Sequence, residues 1–377
     1  MSIKVLSLVL NSFTNDSRVL KECKSLQKAG YDVAVVAIHD SGLEYEEVVE
    51  GVPVQRVKMV SRERLKPNSG KALKYLEFII RASYAMYKKP IDIIHCNDLN
   101  ALPVSVIVKL FSKRPIKIVY DCHEYQTEIK GLKGFKQTLA RGLERWLIKY
   151  TDIILTVSNG IAEEYVRIYN VEKPRLVLNT PPYKQVQKTN IYRQKFNIDE
   201  ETSIFLYQGG ISAGRGIEVM LEAFKGLPDN LVIIFMGYGE LMPLVQVAAN
   251  QHENIFYHPA VSPDVLLDHT VAADFGICFT DNTCLNHYYC LPNKLFEFLM
   301  ADLPVIVSNL PELRGVVEQF EVGLVAKNSD TEALKEAVRS IHKLDKQQTL
   351  LNVEKVKKVF NWEQQEKVLL EAYRDIE

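Results

Sequence analysis

One short segment groups side chains that can hold both an anion and a sugar. Pro292, Asn293, Lys294 and Glu297 stand at the start of a segment with helical periodicity. The first backbone N–H groups of a helix are unpaired and attract anions, and Lys294 adds a full positive charge. Glu297 falls one turn further on the same face, where its carboxylate can accept hydrogen bonds from two neighbouring ribose hydroxyls. The segment predicts a nucleotide-binding corner; the alternative is an ordinary capped helix with solvated side chains.

A glycine-rich loop supplies a second candidate anion site. Residues 209–216 have the glycine spacing of a P-loop, but Arg215 stands where that motif has Lys, and Gly216 replaces the Mg²⁺-binding hydroxyl. We therefore reject nucleotide triphosphate hydrolysis. The loop still opens a helix, and Arg215 can bind two phosphate oxygens, although glycines serving only a tight turn are the alternative. Gly237, in Gly-Tyr-Gly, is a weaker signal of the same kind.

Two loops of the first half carry polar side chains at the ends of expected strands. The loop before the first helix is rich in N-capping residues that can also contact a ligand: Asn11, Asn15, Asp16, Ser17 and Arg18. His123 and Glu124 follow another expected strand. A lone histidine is more often structural than functional, but its place at the carboxyl end of a strand favours a role at a site.

The chain shows no pattern typical of a metal or disulfide site. Its six cysteines contain no C-x-x-C pair, and no Asp-x-Asp occurs that would hold Mg²⁺ against a diphosphate. We therefore expect no cofactor and no metal. Any diphosphate charge would have to be met by basic side chains and helix starts.

Composition and charge exclude several classes of protein. With 47% apolar and 25% charged residues over 377 positions, the chain is typical of a soluble protein of two domains. Residues 1–180 hold 28 basic and 20 acidic side chains, whereas residues 181–377 hold 18 and 27. Two basic stretches, residues 56–89 and 130–149, are interleaved with Tyr75, Phe78, Ile79, Phe135, Leu139 and Trp146. They fit an anionic membrane surface, a lipid pyrophosphate or a polyanion; solvated helix faces are the alternative. We expect no nucleic-acid partner.

The first residues and the apolar runs of the chain indicate where in the cell the protein is expected. The first residues enter an expected strand with no basic leader, and no apolar run is long enough to span a bilayer. We expect a cytoplasmic protein, with peripheral contact at the inner face of the cell membrane left open.

Strand-like and helix-like segments alternate along the chain. This alternation predicts an α/β fold of two Rossmann-like, doubly wound domains, each with a parallel sheet. We expect residues 1–180 and 181–352 to form these domains and residues 353–377 to form a helix that packs back on the first. Ligands of such sheets bind at the carboxyl ends of the strands, so two facing domains would enclose a site in a cleft.

Several motifs together resemble one known family. They occur in order along nearly the whole chain: Asn15-Asp-Ser-Arg-Val19, Asp121-x-His-Glu124, Val157-Ser158, Gly209-Gly210 with Arg215-Gly216, Gly237-x-Gly239 and Pro292-Asn-Lys-Leu-Phe-Glu297. Their order and spacing are similar to those of the retaining family-four glycosyltransferases, especially enzymes of bacterial cell-surface glycans, which have the GT-B fold. That fold consists of two Rossmann-like domains that face each other across a cleft.

The resemblance implies roles for particular residues. It implies that Glu297 binds the donor ribose, that Arg215 and Lys294 hold the diphosphate, and that His123 contacts the donor sugar. The remaining donor-binding residues that it implies are Gly209, Gly210, Gly237, Tyr289, Leu291, Pro292 and Asn293. The loop from Asn11 to Ser17, with Arg18 and Glu124 beside it, would contact phosphates and acceptor. Transfer would retain the anomeric configuration, with the leaving phosphate helping to deprotonate the acceptor.

The chain departs from the family pattern at two positions. Tyr289 stands where the family usually has a glutamate that touches the donor sugar, which leaves the sugar open. Gly210 stands where the family commonly has the first arginine of its phosphate loop, so one cation is missing. Lys294 is one candidate to replace it, and Arg18 of the opposite domain is the other.

These observations predict a metal-independent transferase. We expect it to move a sugar from a nucleotide-diphosphate donor, with UDP preferred, to a hydroxyl of a lipid-linked or polysaccharide acceptor. A UDP-sugar epimerase of the same fold is one alternative. A non-catalytic protein that binds sugar nucleotides is another, because Tyr289 and Gly210 depart from the pattern.

Overall fold

The protein divides into two compact units in a computed structural model that describes residues 2–66 and 69–377. Unit 1 comprises the described parts of Met1–Val157, Ile161–Val177 and Glu366–Glu377, whereas unit 2 comprises Ser158–Gly160 and Leu178–Gln365. The chain therefore leaves unit 1 three residues before the boundary expected at residue 180.

Unit 1 is built on a sheet of eight strands, counted within the described residues. These are β1 (Lys4–Leu8), β2 (Asp32–Ile38), β3 (Glu46–Val49), β4 (Val52–Val57), β5 (Ile93–Asn97), β6 (Lys117–Cys122), β7 (Ile153–Thr156) and β8 (Arg175–Leu176). Their order is β3-β4-β2-β1-β5-β6-β7-β8, and all neighbours are parallel except the hairpin β3-β4. Buried runs such as Ile93–Asn97 suit a sheet that is covered on both faces.

Helices follow the strands of unit 1. They are α1 (Ser17–Lys28), α2 (Val60–Arg64), α3 (Lys71–Tyr87), α4 (Leu102–Phe111), α5 (Phe135–Leu147) and α6 (Asn159–Tyr169), with 3₁₀ turns at Gln126–Glu128 and Ile148–Tyr150. Asp16 caps α1 by accepting a hydrogen bond from the backbone N–H of Val19, which fixes the end of the loop after β1.

Unit 2 has a parallel sheet of six strands among the described residues. They are β9 (Ser203–Gly210), β10 (Leu231–Tyr238), β11 (Ile255–Pro259), β12 (Phe275–Cys278), β13 (Val305–Ser308) and β14 (Gly323–Ala326), in the order β11-β10-β9-β12-β13-β14. One apolar cluster, which includes Phe205, Phe224 and Phe235, forms the core on one side of this sheet. The strand order reverses beside β9, and ligands of doubly wound sheets bind at such a point.

The helices of unit 2 complete the alternation. They are α7 (Ile191–Phe196), α8 (Ile217–Lys225), α9 (Met242–Gln251), α10 (Pro263–Thr270), α11 (Leu285–Tyr288), α12 (Asn293–Met300), α13 (Pro311–Phe320), α14 (Thr331–Ser340) and α15 (Lys346–Val359), with a 3₁₀ turn at Ile341–Lys343. The last helix, α16 (Trp362–Arg374), starts in unit 2 and ends in unit 1. The predicted α/β class with two parallel Rossmann-like sheets is confirmed.

The C-terminal segment differs in detail from the sequence expectation. The stretch expected as one helix from residue 353 is two helices, because the chain breaks at Phe360 and Asn361 between α15 and α16. Residues from Glu366 onward belong to unit 1, where the Tyr373 hydroxyl lies 2.8 Å from Nδ1 of His95. In the described part of the chain, no helix combines the length and hydrophobicity that crossing a bilayer requires.

Candidate functional site

A cavity of about 420 Å³ opens in unit 2 at the carboxyl ends of β9 and β10. Its walls come from the glycine loop after β9, the end of β10, the segment after β11 and the start of α12. The lining residues that bear on its chemistry are Gln208, Gly209, Gly210, Arg215, Gly237, Tyr238, Pro292, Asn293, Lys294 and Glu297. The cavity therefore brings together the helix start and the glycine loop that the sequence indicated separately.

Glycines shape the floor of this cavity. Gly209 has a φ of 111°, which is a left-handed conformation that favours glycine. A Cβ atom on Gly237 would lie 1.9 Å from the carbonyl oxygen of Gly209, so β10 passes the glycine loop too closely for any side chain. Tyr207 donates a hydrogen bond of 2.6 Å from its hydroxyl to the Gly210 carbonyl and so fixes the loop from below. Backbone contacts and a buried tyrosine therefore shape this part of the floor.

Lys294 is a buried cation beside that loop. Only 8% of its surface is exposed, and its Nζ atom lies 4.0 Å from the centre of the Tyr207 ring. Neither Lys294 nor the half-buried Arg215 has a side-chain ion pair with any described carboxylate. Cation–π contact compensates only part of the cost of burying an ammonium group. The cavity therefore presents two cations that an anionic ligand can neutralise.

Two amide groups hold Glu297 in place. Gln208 donates from Nε2 to its Oε2 at 2.6 Å, and Asn293 donates from Nδ2 to its Oε1 at 3.1 Å. Gln208 is itself oriented by Thr270, whose hydroxyl donates to Oε1 of Gln208 at 2.8 Å. A carboxylate oxygen has more than one lone pair, which is the chemistry that accepts hydrogen bonds from ligand hydroxyls.

Sequence reasoning missed Gln208 and Tyr207. Both are buried residues of β9, and a strand interior gives no sign of which side chains turn toward a ligand. One signal was present, because Gln208 is a polar residue at the last position before the glycine pair. A buried amide needs partners, and at that position they lie in the site.

Three residues of the segment before α12 differ from the sequence prediction in position: Tyr289, Leu291 and Pro292. Pro292 is the N-cap of α12 and not a residue of its first turn. Tyr289 and Leu291 do not line the cavity. The Tyr289 ring packs instead against Gly160, where an added Cβ would lie 2.1 Å from its Cδ1 atom. The donor-binding roles of Tyr289 and Leu291 stay predictions.

Unit 1 carries a second group of polar residues at the carboxyl ends of its strands. Asn11 donates from Nδ2 to Oδ2 of Asp16 at 2.8 Å, and its Oδ1 accepts from the backbone N–H of Phe13 at 2.8 Å. These hydrogen bonds order the loop before α1, and they occupy some of the polar atoms of Asn11 and Asp16. Asn15, Ser17 and Glu124 are exposed, so they are accessible to a ligand.

Arg18 does not supply the missing phosphate cation. It is 4% exposed, and its Nε and Nη2 atoms donate to both carboxylate oxygens of Asp121 at 2.9–3.1 Å. Its Nη1 atom donates to the Val177 carbonyl at 2.7 Å, and Glu22 pairs with Nε at 3.0 Å. The prediction that Arg18 holds a phosphate is wrong, because its guanidinium is consumed inside unit 1.

His123 lies between two carboxylates. Its Nε2 atom is 3.1 Å from Oδ2 of Asp121, and its Nδ1 atom is 3.8 Å from Oδ2 of Asp98. Burial lowers the pKa of His123, but the attraction of Asp121 and Asp98 outweighs it and raises the pKa to about 9. The imidazole is therefore a cation at neutral pH, and it acts as a hydrogen-bond donor rather than as a base.

Three of these groups have the spacing of a metal site. One ligand atom each of Glu22, Asp121 and His123 lies within 4.8 Å of the others. The donor set does not fit a resident metal, because Arg18 is ion-paired with both carboxylates and a protonated His123 has no lone pair to offer. Burial also raises the pKa of Glu22 to about 7, which further reduces the charge available to a metal ion.

Two family descriptions match consecutive parts of the chain. Residues 16–182 match the family described as "Glycosyl transferase 4-like domain", and residues 188–354 match "Glycosyl transferases group 1". Together these matches cover most of both units. The first begins at Asp16, the N-cap of α1, and includes His123, and the second includes every residue of the unit 2 cavity.

Individual relatives agree with these matches. The chain is 23% identical to a chitobiosyldiphosphodolichol beta-mannosyltransferase of Kluyveromyces lactis, over 89% of this chain and 81% of that protein. A sucrose-phosphate synthase structure from Thermosynechococcus elongatus has a TM-score of 0.81 at 18% identity and covers 99% of both chains. Anabaena HepE in complex with UDP and glucose has a TM-score of 0.75 at 14% identity, again over 99% of both chains. At these identities the structures establish the fold.

Proposed function

Because the chain belongs to the family-four type of glycosyltransferases with the GT-B fold, we propose that it transfers a sugar from a UDP-sugar. The sugar would go to a hydroxyl of a lipid-linked or polysaccharide acceptor. The transfer would retain the anomeric configuration and would not require a metal. The acceptor would belong to the class of surface glycans or their lipid-linked precursors. The relative in Kluyveromyces lactis acts, by its name, on a diphosphate-linked lipid, and HepE binds UDP.

One observation carries the donor part of this proposal. Lys294 is buried beside the backbone of Gly209 with no acidic partner among the described side chains, in the same cavity as Arg215 and Glu297. A diphosphate would neutralise Lys294 and Arg215, and a ribose would donate its hydroxyls to Glu297. The exposed ring of Tyr238 and the segment after β11 would then border the base.

The proposed chemistry needs charge stabilisation more than a nucleophile. As the bond between sugar and diphosphate breaks, negative charge grows on the leaving phosphate. Arg215 and Lys294 would stabilise that charge, and the uncapped start of α12 would add its partial positive charge. The same phosphate oxygen would accept the proton of the attacking acceptor hydroxyl, so the acceptor adds to the face that the diphosphate leaves.

A thermal-shift panel tests the donor assignment. UDP, GDP, dTDP and their sugar conjugates are compared with the wild-type protein and with Glu297→Ala. Ligand linkage predicts a rise in melting temperature of the wild type with the correct base and a much smaller rise of the variant. Equal shifts of wild type and Glu297→Ala would remove the cavity from the proposal.

Product analysis separates transfer from the alternative activities. Incubation with the stabilising nucleotide sugar and a glycan or lipid-linked acceptor should yield a new glycosidic bond whose anomeric configuration matches the donor. An altered sugar nucleotide formed without acceptor would identify an epimerase. Tight binding without turnover under any acceptor would identify a binding protein.

A further inference from the structure

Three helices of unit 1 form one layer on a single face of its sheet. The connections through α3, α4 and α5 all run in the same direction across the sheet, from β4 to β5, β6 and β7 in turn. Right-handed crossovers in the same direction place their helices on the same face. In agreement, α3 packs on α4 and α4 on α5. Helix α4 is buried over Leu102–Val106 and exposes only its C-terminal end, so the outer sides of α3 and α5 lie on the same face with the end of α4 between them.

Helix α5 turns an apolar stripe outward. Phe135, Leu139, Leu143 and Trp146 recur at helical spacing and are 81%, 62%, 38% and 52% exposed. An amphipathic helix normally turns this stripe toward the core, but α5 buries the opposite side, which carries the carboxylate of Glu144.

Glu144 anchors the inner side of α5. Its carboxylate is fully buried and accepts hydrogen bonds from the hydroxyls of Tyr120, Tyr165 and Tyr169 at 2.5–2.7 Å. Burial raises the pKa of Glu144, while the three tyrosine hydrogen bonds oppose that rise. The orientation of α5 is therefore fixed by buried contacts, and its outward stripe is a stable feature of unit 1.

Helix α3 repeats this arrangement. Its inner side buries Phe78, Ala82 and Met86. Its outer side exposes an apolar stripe of Leu73, Leu76, Ile80, Tyr84 and Tyr87. Phe78, expected from the sequence to interrupt a basic surface, is a core residue instead. At the end of α4, Leu110 and Phe111 add two further exposed apolar side chains to the layer.

The charge around these stripes has one sign. Residues 71–89, 102–114 and 129–150 contain fourteen basic and two acidic side chains. Neither acid is exposed: Glu144 is buried, and Glu77 is engaged by backbone N–H groups of Val60 and Ser61 and by Arg81. By contrast Lys130, Lys133, Lys136, Arg145 and Lys149 are exposed around α5. The layer is apolar and cationic, with no exposed carboxylate in these three described ranges.

We propose that the outer sides of α3 and α5, together with the exposed end of α4, dock on an anionic lipid bilayer, with the two apolar stripes inserted at the interface and the flanking lysines and arginines on the lipid phosphates. We call this surface the docking layer. It extends the proposed function, because a lipid-linked acceptor has to be reached at a bilayer. Aromatic rings with polar edges, such as Trp146, Tyr84 and Tyr87, suit the level of the headgroups.

The composition favours a lipid surface over a protein partner. Lysine is depleted at protein–protein interfaces, whereas lysines beside an apolar stripe are typical of helices that lie on anionic membranes. Long cationic side chains can also extend from the apolar level to the phosphates. A second copy of this chain would bring two surfaces with exposed lysines and arginines against each other, which is electrostatically unfavourable.

Vesicle binding of the full chain tests this inference. Phosphatidylglycerol-containing vesicles are compared with pure phosphatidylcholine vesicles by co-sedimentation. We expect at least about tenfold stronger partition into the anionic vesicles, weakened by added salt because charge contributes. The triple variant Phe135→Ser, Leu139→Ser, Trp146→Ser should lose at least about tenfold of that partition.

A matched variant controls for general loss of surface hydrophobicity. Leu244→Ser, Val247→Ser, Leu351→Ser removes three exposed apolar side chains of unit 2 and should bind vesicles like the wild type. Melting temperatures of both triple variants, with and without the nucleotide that stabilises the wild type, show whether they fold and keep the donor site. Equal vesicle binding by the two triple variants, or no binding by the folded wild type, would overturn the inference.

The two tryptophans of the chain give an independent readout. Trp146 is on the outer side of α5, whereas Trp362 is buried. Anionic vesicles should shift the tryptophan emission of the wild type to shorter wavelength, and Trp146→Phe should lose that shift.

Sedimentation velocity without lipid checks self-association. A dimer that the α5 triple variant abolishes would assign the surface to a second copy of the chain instead. Nucleotide binding is measured separately, so docking and donor recognition can fail independently.

Discussion

Gln208 Nε2 donates a hydrogen bond of 2.6 Å to Oε2 of Glu297 and joins the end of β9 to the first turns of α12. The pair positions the only carboxylate that lines the described cavity of unit 2. Thr270 fixes the other end of the Gln208 amide, so Glu297 cannot rotate without breaking a buried network.

Replacing Gln208 should weaken nucleotide binding because it releases the carboxylate of Glu297. In Gln208→Leu, Glu297 loses a hydrogen bond to a charged group, which is worth roughly 1.5–3 kcal/mol. We expect about a tenfold or greater rise in the nucleotide dissociation constant, measured by titration calorimetry. Gln251→Leu, at an exposed position at the end of α9, is the control and should bind like the wild type. An unchanged constant in Gln208→Leu would show that Glu297 does not need this partner.

Lys294 should affect stability and binding in opposite directions. Lys294→Met keeps the buried stem but removes an ammonium group that has no acidic partner among the described residues. The unliganded variant should melt at or above the temperature of the wild type, because burying an unpaired charge is unfavourable. Its nucleotide affinity should fall by about tenfold to a hundredfold.

Melting curves with and without nucleotide measure both effects in one experiment. Lys343→Met at an exposed position serves as the control and should change neither. A variant with a clearly lower melting temperature and unchanged affinity would mean that Lys294 is structural.

The charge of His123 should make unit 1 less stable at alkaline pH. The pKa is raised to about 9 in the folded protein, by carboxylates that outweigh burial, from an ordinary value near 6.5. Its stabilising contribution is therefore complete below about pH 6.5 and is lost as the pH rises toward 9. We expect the free energy of unfolding to fall over this window in the wild type and to fall less in His123→Asn.

Denaturant titrations at several pH values measure this dependence. The raised pKa values of Asp98, about 6, and Glu22, about 7, place their proton release at lower pH. Burial also raises the pKa of thiols such as Cys122 and Cys278, which lowers stability near pH 9 in both proteins, so His123 is assigned from the difference between the wild type and His123→Asn. His252→Asn, a histidine of unit 2 between α9 and β11, should keep the wild-type dependence. An identical slope in His123→Asn would show that another group titrates.

Two glycines should respond in opposite ways to alanine. Gly237→Ala places a Cβ 1.9 Å from the Gly209 carbonyl, so we expect a loss of about 3 kcal/mol or more in the free energy of unfolding and loss of nucleotide binding. Gly315→Ala lies inside α13 with open space around the new methyl group and should stabilise the protein by about 0.5–1 kcal/mol. Thermal and denaturant unfolding measure both changes.

The sequence predicted the parts of the fold and site that follow from local patterns. Alternating apolar and periodic segments were sufficient for two parallel sheets, and Arg215, Lys294 and Glu297 fell in one cavity because each stands where a loop or helix begins at the carboxyl ends of the strands. Arg18 was misassigned because its partner Asp121 lies 103 positions away, so only the folded chain reveals that the charge is consumed. Tyr207 and Gln208 were missed because a strand interior hides which side chains face a ligand.

The buried bonds between Glu144 and three tyrosines also bear on how this protein can evolve. Since Glu144 holds α5 from its inner side, the apolar residues on its outer side can change without breaking these bonds. Among homologues we expect Glu144 and its tyrosines to change together or not at all, while the outward positions diversify with the lipids of each host. Within the thirteen residues of α5, the buried positions maintain the fold and the outward positions can vary.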